Sequence, residues 1–326
     1  MYKSIISAVL FITAFGLNAS PLPFISPETS LDVGLKGHVE TVKNTSQCLA
    51  TPLEEFTEST TKYNTEGILL TRSTVSQNLN FYLHPQAFMG DLNQSLVDGK
   101  LFSFSMSFDA NGNNVTTRGE VLNKDSRSRP KIVKVEQVGK DLEGNESKIQ
   151  YVYGFQYDHG IIIIDNKVKM PGLPIISSKS VAEIDSNNRI LNVTAQHPKT
   201  KTLKVIYSAN YNDAQPTERK SEGGGLVRYF YEGDQLIRIE QMSGLGLISY
   251  VVNITDVEKD VCGNILKSKL TVTSPAKKKL DDLFQTQNQY EPLRGDELAK
   301  DSNNFRLPKC EVYEMINVYT YYSECK

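Results

Sequence analysis

The feature that most constrains this chain is a recurring corner. Tyr63 opens YNTEGILL, Phe108 opens FDANGNNV, Tyr157 opens YDHGIIII, Ile184 opens IDSNNRIL, Tyr231 opens YEGDQLIRI and Lys259 opens KDVCGNIL. Each has a residue that ends a strand-like run, an Asn, Asp or Glu, a short Gly/Asn turn and a returning aliphatic run. Asp and Asn side chains accept backbone N–H bonds two residues on, and Gly or Asn takes the positive φ of a tight hairpin. Asp141 to Ser147 keeps the turn and loses the strand start. Between corners lie short runs of Val, Ile, Thr, Tyr and Phe. A hairpin cannot bury a face alone, so neighbouring hairpins must stack into a continuous sheet.

The fold expected is therefore mainly β: a long antiparallel meander of hairpins over residues 35–273, curled into an open roll or half-barrel. A C-terminal segment, 274–326, follows. Ser274 and Pro275 suit a helix start, and Leu280, Leu283 and Phe284 recur at helical spacing. The run Val312 to Tyr322 reads as a final strand. The lead-in over 20–34 holds Pro21, Pro23 and Pro27 and reads as extended. With the C-terminal segment it would cover the edge strands of the open sheet.

Residues 1–19 have the tripartite form of a secretory signal. Lys3 supplies the charge, Ile5 to Leu17 the apolar stretch, and Leu17-Asn18-Ala19 the cleavage site. That stretch is shorter than the roughly 20 residues a spanning helix needs. No integral membrane segment is expected after cleavage, and a periplasmic or secreted location is expected. In such an oxidising compartment Cys48, Cys262, Cys310 and Cys325 are read as disulfides. Loop-closure entropy favours Cys310 with Cys325, which leaves Cys48 with Cys262. Four cysteines allow three pairings, and spacing alone does not choose among them.

Composition removes several functions. Lys plus Arg total 36 and Asp plus Glu 38, a net charge of −2, so no basic stripe suggests nucleic acid. Four scattered histidines give multi-histidine metal chemistry little material. No cofactor fingerprint is found: Gly223-Gly224-Gly225 is not followed by the Lys-Ser/Thr of a phosphate loop. There is no G-x-S-x-G elbow. Asp109, Asn111, Asn113 and Glu120 have partial calcium-loop spacing, but Asn114 stands where that loop needs Gly. They read as hairpin polarity.

Tyrosine and phenylalanine are abundant, 16 and 13. Tyr151, Tyr153, Phe155 and Tyr157 share one parity and so one strand face. They are the candidate ligand-binding row if that face is open, and core if it is closed.

The corners resemble those of YD-repeat (RHS-type) β-hairpin proteins, whose units read roughly Y-D-x-x-G-N-L, over about Leu35 to Leu270. The resemblance implies a scaffold of hairpins and no activity of its own. The functional expectation is an exported, non-catalytic binding or scaffold protein of a bacterial envelope. It would use a sheet face to hold a protein, peptide or lipid-like partner, one version being a periplasmic toxin-neutralising partner. The alternatives are an envelope-polymer hydrolase and a carrier of a small apolar ligand inside a closed sheet.

Overall fold

The computed structural model describes residues 22–26, 29–30, 35–50, 52, 56–77, 90–110, 113–140, 144–196, 201–213, 215–221, 225–242, 248–275 and 310–323. The signal segment, most of the expected helix and Cys325 lie outside them. Among the described residues a single helical turn, α1 (Leu22–Ile25), precedes eighteen strands. These are β1 (Val39–Cys48), β2 (Phe56–Tyr63), β3 (Leu69–Gln77), β4 (Gly90–Val97), β5 (Lys100–Ala110) and β6 (Asn113–Lys124). Next come β7 (Pro130–Lys140), β8 (Glu146–Asp158), β9 (Ile161–Lys169), β10 (Ile176–Ile184), β11 (Ile190–Gln196) and β12 (Leu203–Asn212). The last are β13 (Gln215–Ser221), β14 (Leu226–Glu232), β15 (Gln235–Met242), β16 (Ile248–Lys259), β17 (Ile265–Thr273) and β18 (Val312–Tyr321).

Every strand runs antiparallel to the next, as the corners predict. The open roll, however, is replaced by a closed barrel. β18 pairs with β17 on one side (Leu270↔Tyr313) and with β1 on the other (Val42↔Tyr319, Asn44↔Asn317, Cys48↔Tyr313). Closure removes both free edges, so no separate edge cover is needed.

The same closure corrects the disulfide pairing. Cys48 ends β1 and Cys310 lies just before β18, and the two are bonded, with Cα atoms 5.9 Å apart. The pairs Cys310–Cys325 and Cys48–Cys262 are thereby excluded. Local loop entropy favours a short loop, but folding brings the first and last strands together across 262 residues. Cys262 is itself disulfide-bonded.

Alternation decides which face is inside. On β8, Ile149, Tyr151, Tyr153 and Phe155 are buried, whereas Lys148, Gln150, Val152 and Gln156 point outward. On β7, Val133, Val135 and Gln137 are buried between outward Lys134 and Glu136. The inner face carries two main apolar clusters. One runs from Leu92 on β4 to Tyr207 on β12 and takes in Phe24 of α1. The other runs from Val227 on β14 through β18 to Cys48.

A third, smaller cluster of Val39, Tyr63 and Leu69 joins the first through Leu92, and the two shortest ladders are β3–β4 and β13–β14. β3 meets β4 only from Thr71↔Asn93 to Thr74↔Gly90. β13 meets β14 only at Glu218↔Arg228, Arg219↔Val227 and Lys220↔Leu226. Beyond that point the strands part near Pro216, which has no N–H to donate. Its carbonyl instead accepts a hydrogen bond from the Tyr231 hydroxyl, 3.0 Å away.

The outer wall is charged at mid-strand. Glu136 pairs with Lys134 and Lys148 at 3.0 Å each, Lys179 with Asp165 at 3.5 Å, and Lys267 with Glu314 at 2.7 Å. A lipid-facing barrel carries an outward apolar band, and a Lys or Arg at the bilayer midplane costs about 2–4 kcal/mol. This wall instead carries ion pairs at mid-strand, with exposed Val152, Ile316 and Val318 beside them. No helix among the described residues is long and apolar enough to cross a membrane.

Candidate functional site at one barrel mouth

Five of the six recurrent corners fall at the same mouth. The exception follows Phe108, whose turn joins β5 to β6 at the opposite mouth. Four of the loops at the first mouth share one construction. The side chains of Asn64, Asp125, Asp185 and Asp260 each accept two backbone N–H bonds, two and four residues on, at 2.8–3.0 Å. The residue three places on takes positive φ: Gly67, Ser128, Asn188 and Gly263. The Asp125 corner was not legible as a member of the repeat, because Ser128 fills the position that Gly or Asn marks elsewhere.

Two of these loops lay an arginine over a tyrosine ring of the neighbouring strand. The second oxygen of Asp125 accepts from Arg129 Nε at 2.8 Å, and the guanidinium lies 4.0 Å from the centre of the Tyr157 ring. Asp185 accepts from Arg189 Nε at 2.7 Å, and that guanidinium lies 4.3 Å from the Tyr211 ring. The third guanidinium nitrogen of Arg189 donates to the Asp213 carbonyl. Burial alone would raise both carboxyls, but the backbone bonds and the arginine outweigh it and hold Asp125 and Asp185 below the ordinary carboxylate range. Each arginine charge is thus matched by its own aspartate.

Between these loops and α1 lies a cavity of about 1070 Å3. Its apolar lining comes from Phe24, Ile25, Leu101, Ile162, Ile184 and the two tyrosine rings; Arg129, Arg189, Lys100 and Asn188 stand among them. Phe24 is buried, with its ring 5.4 Å from that of Phe104. The segment that brings it is pinned by a Thr29–Ile68 bridge and by Ser30 N–H on the Gly67 carbonyl at 2.7 Å. Gly67 takes a φ of +77° there, and a Cβ on it would require the Ser30 hydroxyl, 2.6 Å away, to shift.

The aromatic row read from the sequence lies on the inner face of β8, and only Tyr157 lines this cavity. Tyr151, Tyr153 and Phe155 continue away from it as buried residues of the first apolar cluster. Tyr151 and Tyr153 stack with centroids 6.2 Å apart, Phe155 and Tyr157 at 6.4 Å. Burial raises the Tyr151 and Tyr157 hydroxyls to about 12 and holds the Tyr153 hydroxyl well above its ordinary value. Phe24, Arg129, Arg189 and Tyr211 were missed. The shared spacing of Asp125-Ser-Arg-Ser-Arg129 and Asp185-Ser-Asn-Asn-Arg189 was the available signal.

Of the partial calcium-loop set, Asn111 lies outside the described residues and Glu120 stands on the outer wall. No group of three His, Cys, Asp or Glu among the described residues is placed to hold a metal. What the mouth offers is a greasy cavity with a charge-balanced rim, which suits binding.

Comparison with known proteins adds little. No family model matches the chain, and no curated protein matches it. Among solved structures it is similar to a Photorhabdus luminescens Tc holotoxin pore, at 12% identity and a TM-score of 0.20. That alignment covers 71% of this chain but only 14% of the toxin chain. It is also similar to a porin-like protein from Bacteroides uniformis, at 7% identity and a TM-score of 0.27, covering 88% of this chain and 99% of that one. At such scores neither likeness defines the fold, which rests on the strand register and polarity described above.

Proposed function

We propose that this chain is an exported, non-catalytic binding barrel that holds a lipid-like ligand at the mouth closed by α1. The observation that carries the reading is the polarity of the wall. Ion pairs at mid-strand outside apolar inner clusters suit a water-facing container, and the cavity of about 1070 Å3 opening among Phe24, Leu101, Ile162 and Ile184 is its entry. The Cys48–Cys310 bond fits an oxidising compartment. The likeness of the corners to YD-repeat units fits a scaffold whose chemistry is recognition. Of the three readings open at the sequence, the apolar carrier gains most from closure of the sheet.

The test uses the mature protein, stripped of co-purifying lipid, titrated with the apolar dye N-phenyl-1-naphthylamine and examined by native mass spectrometry before stripping. Saturable dye fluorescence, competition by long-chain lipids and loss of both in Ile184→Glu are expected. No dye enhancement, together with no lipid adduct on the unstripped protein, would refute the carrier reading.

A further inference from the structure

A second concavity, of about 370 Å3, lies on the outer wall, on strands β4 to β7. Two cross-strand rows build it. One is Asn93–Ser105–Arg118–Glu136, the other Ser95–Ser103–Glu120–Lys134. The floor is shallow-sided because the outward residues of β4 and β5 are short. The far bank stands up because those of β6 and β7 are long and charged.

The composition of this floor runs against strand preference. Asn93 and Ser95 of β4 and Ser103 and Ser105 of β5 form it; Asp91 and Ser107 continue the two strands outside it, Asp91 accepting from the Ser73 hydroxyl at 2.6 Å. Asp and Asn are depleted in strands, and Ser lacks the branched side chain that packs on a pleated face. A local rule broken repeatedly at one place on a wall marks function more often than accident. The polar groups are also uncommitted. Ser95, Ser103, Ser105, Arg118 and Glu120 make no side-chain hydrogen bond or ion pair among the described residues, whereas Glu136 is held by Lys134, Lys148 and Gln150. Phe102, next to Ser103 in sequence, does not line the groove, and Lys124 Nζ stands 5.6 Å from its ring centre.

We infer that this groove binds a neutral oligosaccharide. Its hydroxyls can each donate and accept, as sugar hydroxyls do. Arg118 and Glu120 offer planar two-atom partners for a vicinal diol. Its four charges balance, Arg118 and Lys134 against Glu120 and Glu136, so an anionic or a cationic ligand gains nothing from charge alone. The site is independent of the mouth cavity.

The experiment is heteronuclear NMR and calorimetry of the full mature chain with three soluble probes: maltohexaose, cellohexaose and chitohexaose. At least one is expected to bind, with shifts confined to β4–β7. Arg118→Gln and Glu120→Gln should each weaken it about tenfold, the scale of a lost hydrogen bond to a charged group. Ser103→Val with Ser105→Val should abolish binding while leaving the fold intact, since β-branched residues suit these positions. Binding of none of the three, or binding unchanged in the double valine variant, would overturn the inference. Binding of an anionic or peptide probe in the same groove in their place would overturn the ligand class.

Discussion

Gly119 offers a sharp test of how the first apolar cluster is packed. It sits on the inner face of β6, paired with Phe104. A methyl there would lie 2.4 Å from Phe104 Cε1 and 2.9 Å from Cδ1 and Cζ. Phe104 has little room to retreat, because it is 6% exposed and its ring packs against Phe24. In an ordinary strand interior, Gly→Ala gains roughly 0.5–1 kcal/mol by reducing backbone freedom. Overpacking a filled core costs about 1–3 kcal/mol. Gly119→Ala should therefore destabilise the barrel by about 1–2 kcal/mol in urea unfolding followed by far-ultraviolet circular dichroism. Phe104→Leu frees the space, so in the double variant the alanine should become neutral or favourable. The coupling expected between the two sites is about 1–3 kcal/mol, within the range for residues in contact. An alanine variant as stable as the parent, or effects that simply add, would refute this account of the inner face.

Other outcomes follow from the closure, the wall and the ladders. Replacing Cys48 and Cys310 by alanine should cost about 3–5 kcal/mol, near the upper end for disulfides because the loop spans 262 residues; a change under 1 kcal/mol in the same urea assay would count against it. The Lys134 and Lys148 hydrogen bonds hold the Glu136 carboxyl down at about 2. Its folded value is depressed, so its contribution is present above the ordinary carboxylate range and is lost as pH falls from about 4.5 towards 2. Lys134→Gln with Lys148→Gln should flatten that part of an acid titration of stability. The three-pair ladder between β13 and β14 should exchange its amide protons faster than the long ladder between β6 and β7. Equal protection, read by hydrogen-exchange mass spectrometry, would mean the two halves of the wall are not divided there.

The hairpins and the inward face of β8 were legible because each depends on a few neighbouring residues. An Asx side chain, a positive φ and a period of two are all local signals. Ring closure was not legible, because Val42 meets Tyr319 only after every intervening strand has taken its place. The disulfide inherits that problem. Sequence separation argued for Cys310 with Cys325, while the register of β1 on β18 brings Cys310 to Cys48 instead. The mouth was half legible. Tyr157 could be read from alternation, but Arg129 and Arg189 gain their place from rings two strands' length of chain away, and Phe24 comes from a proline-rich segment that gives no sign of packing.

The pairing of β1 with β18 also sets an order of events. The strand that clasps the ring is made after the other seventeen, so one flank of β1 stays bare throughout synthesis. Until Val312–Tyr321 arrives, the chain has two sticky borders able to recruit another copy. Shortened forms ending before residue 312 are thus expected to associate, and whatever escorts the nascent chain must shield those borders until the clasp shuts.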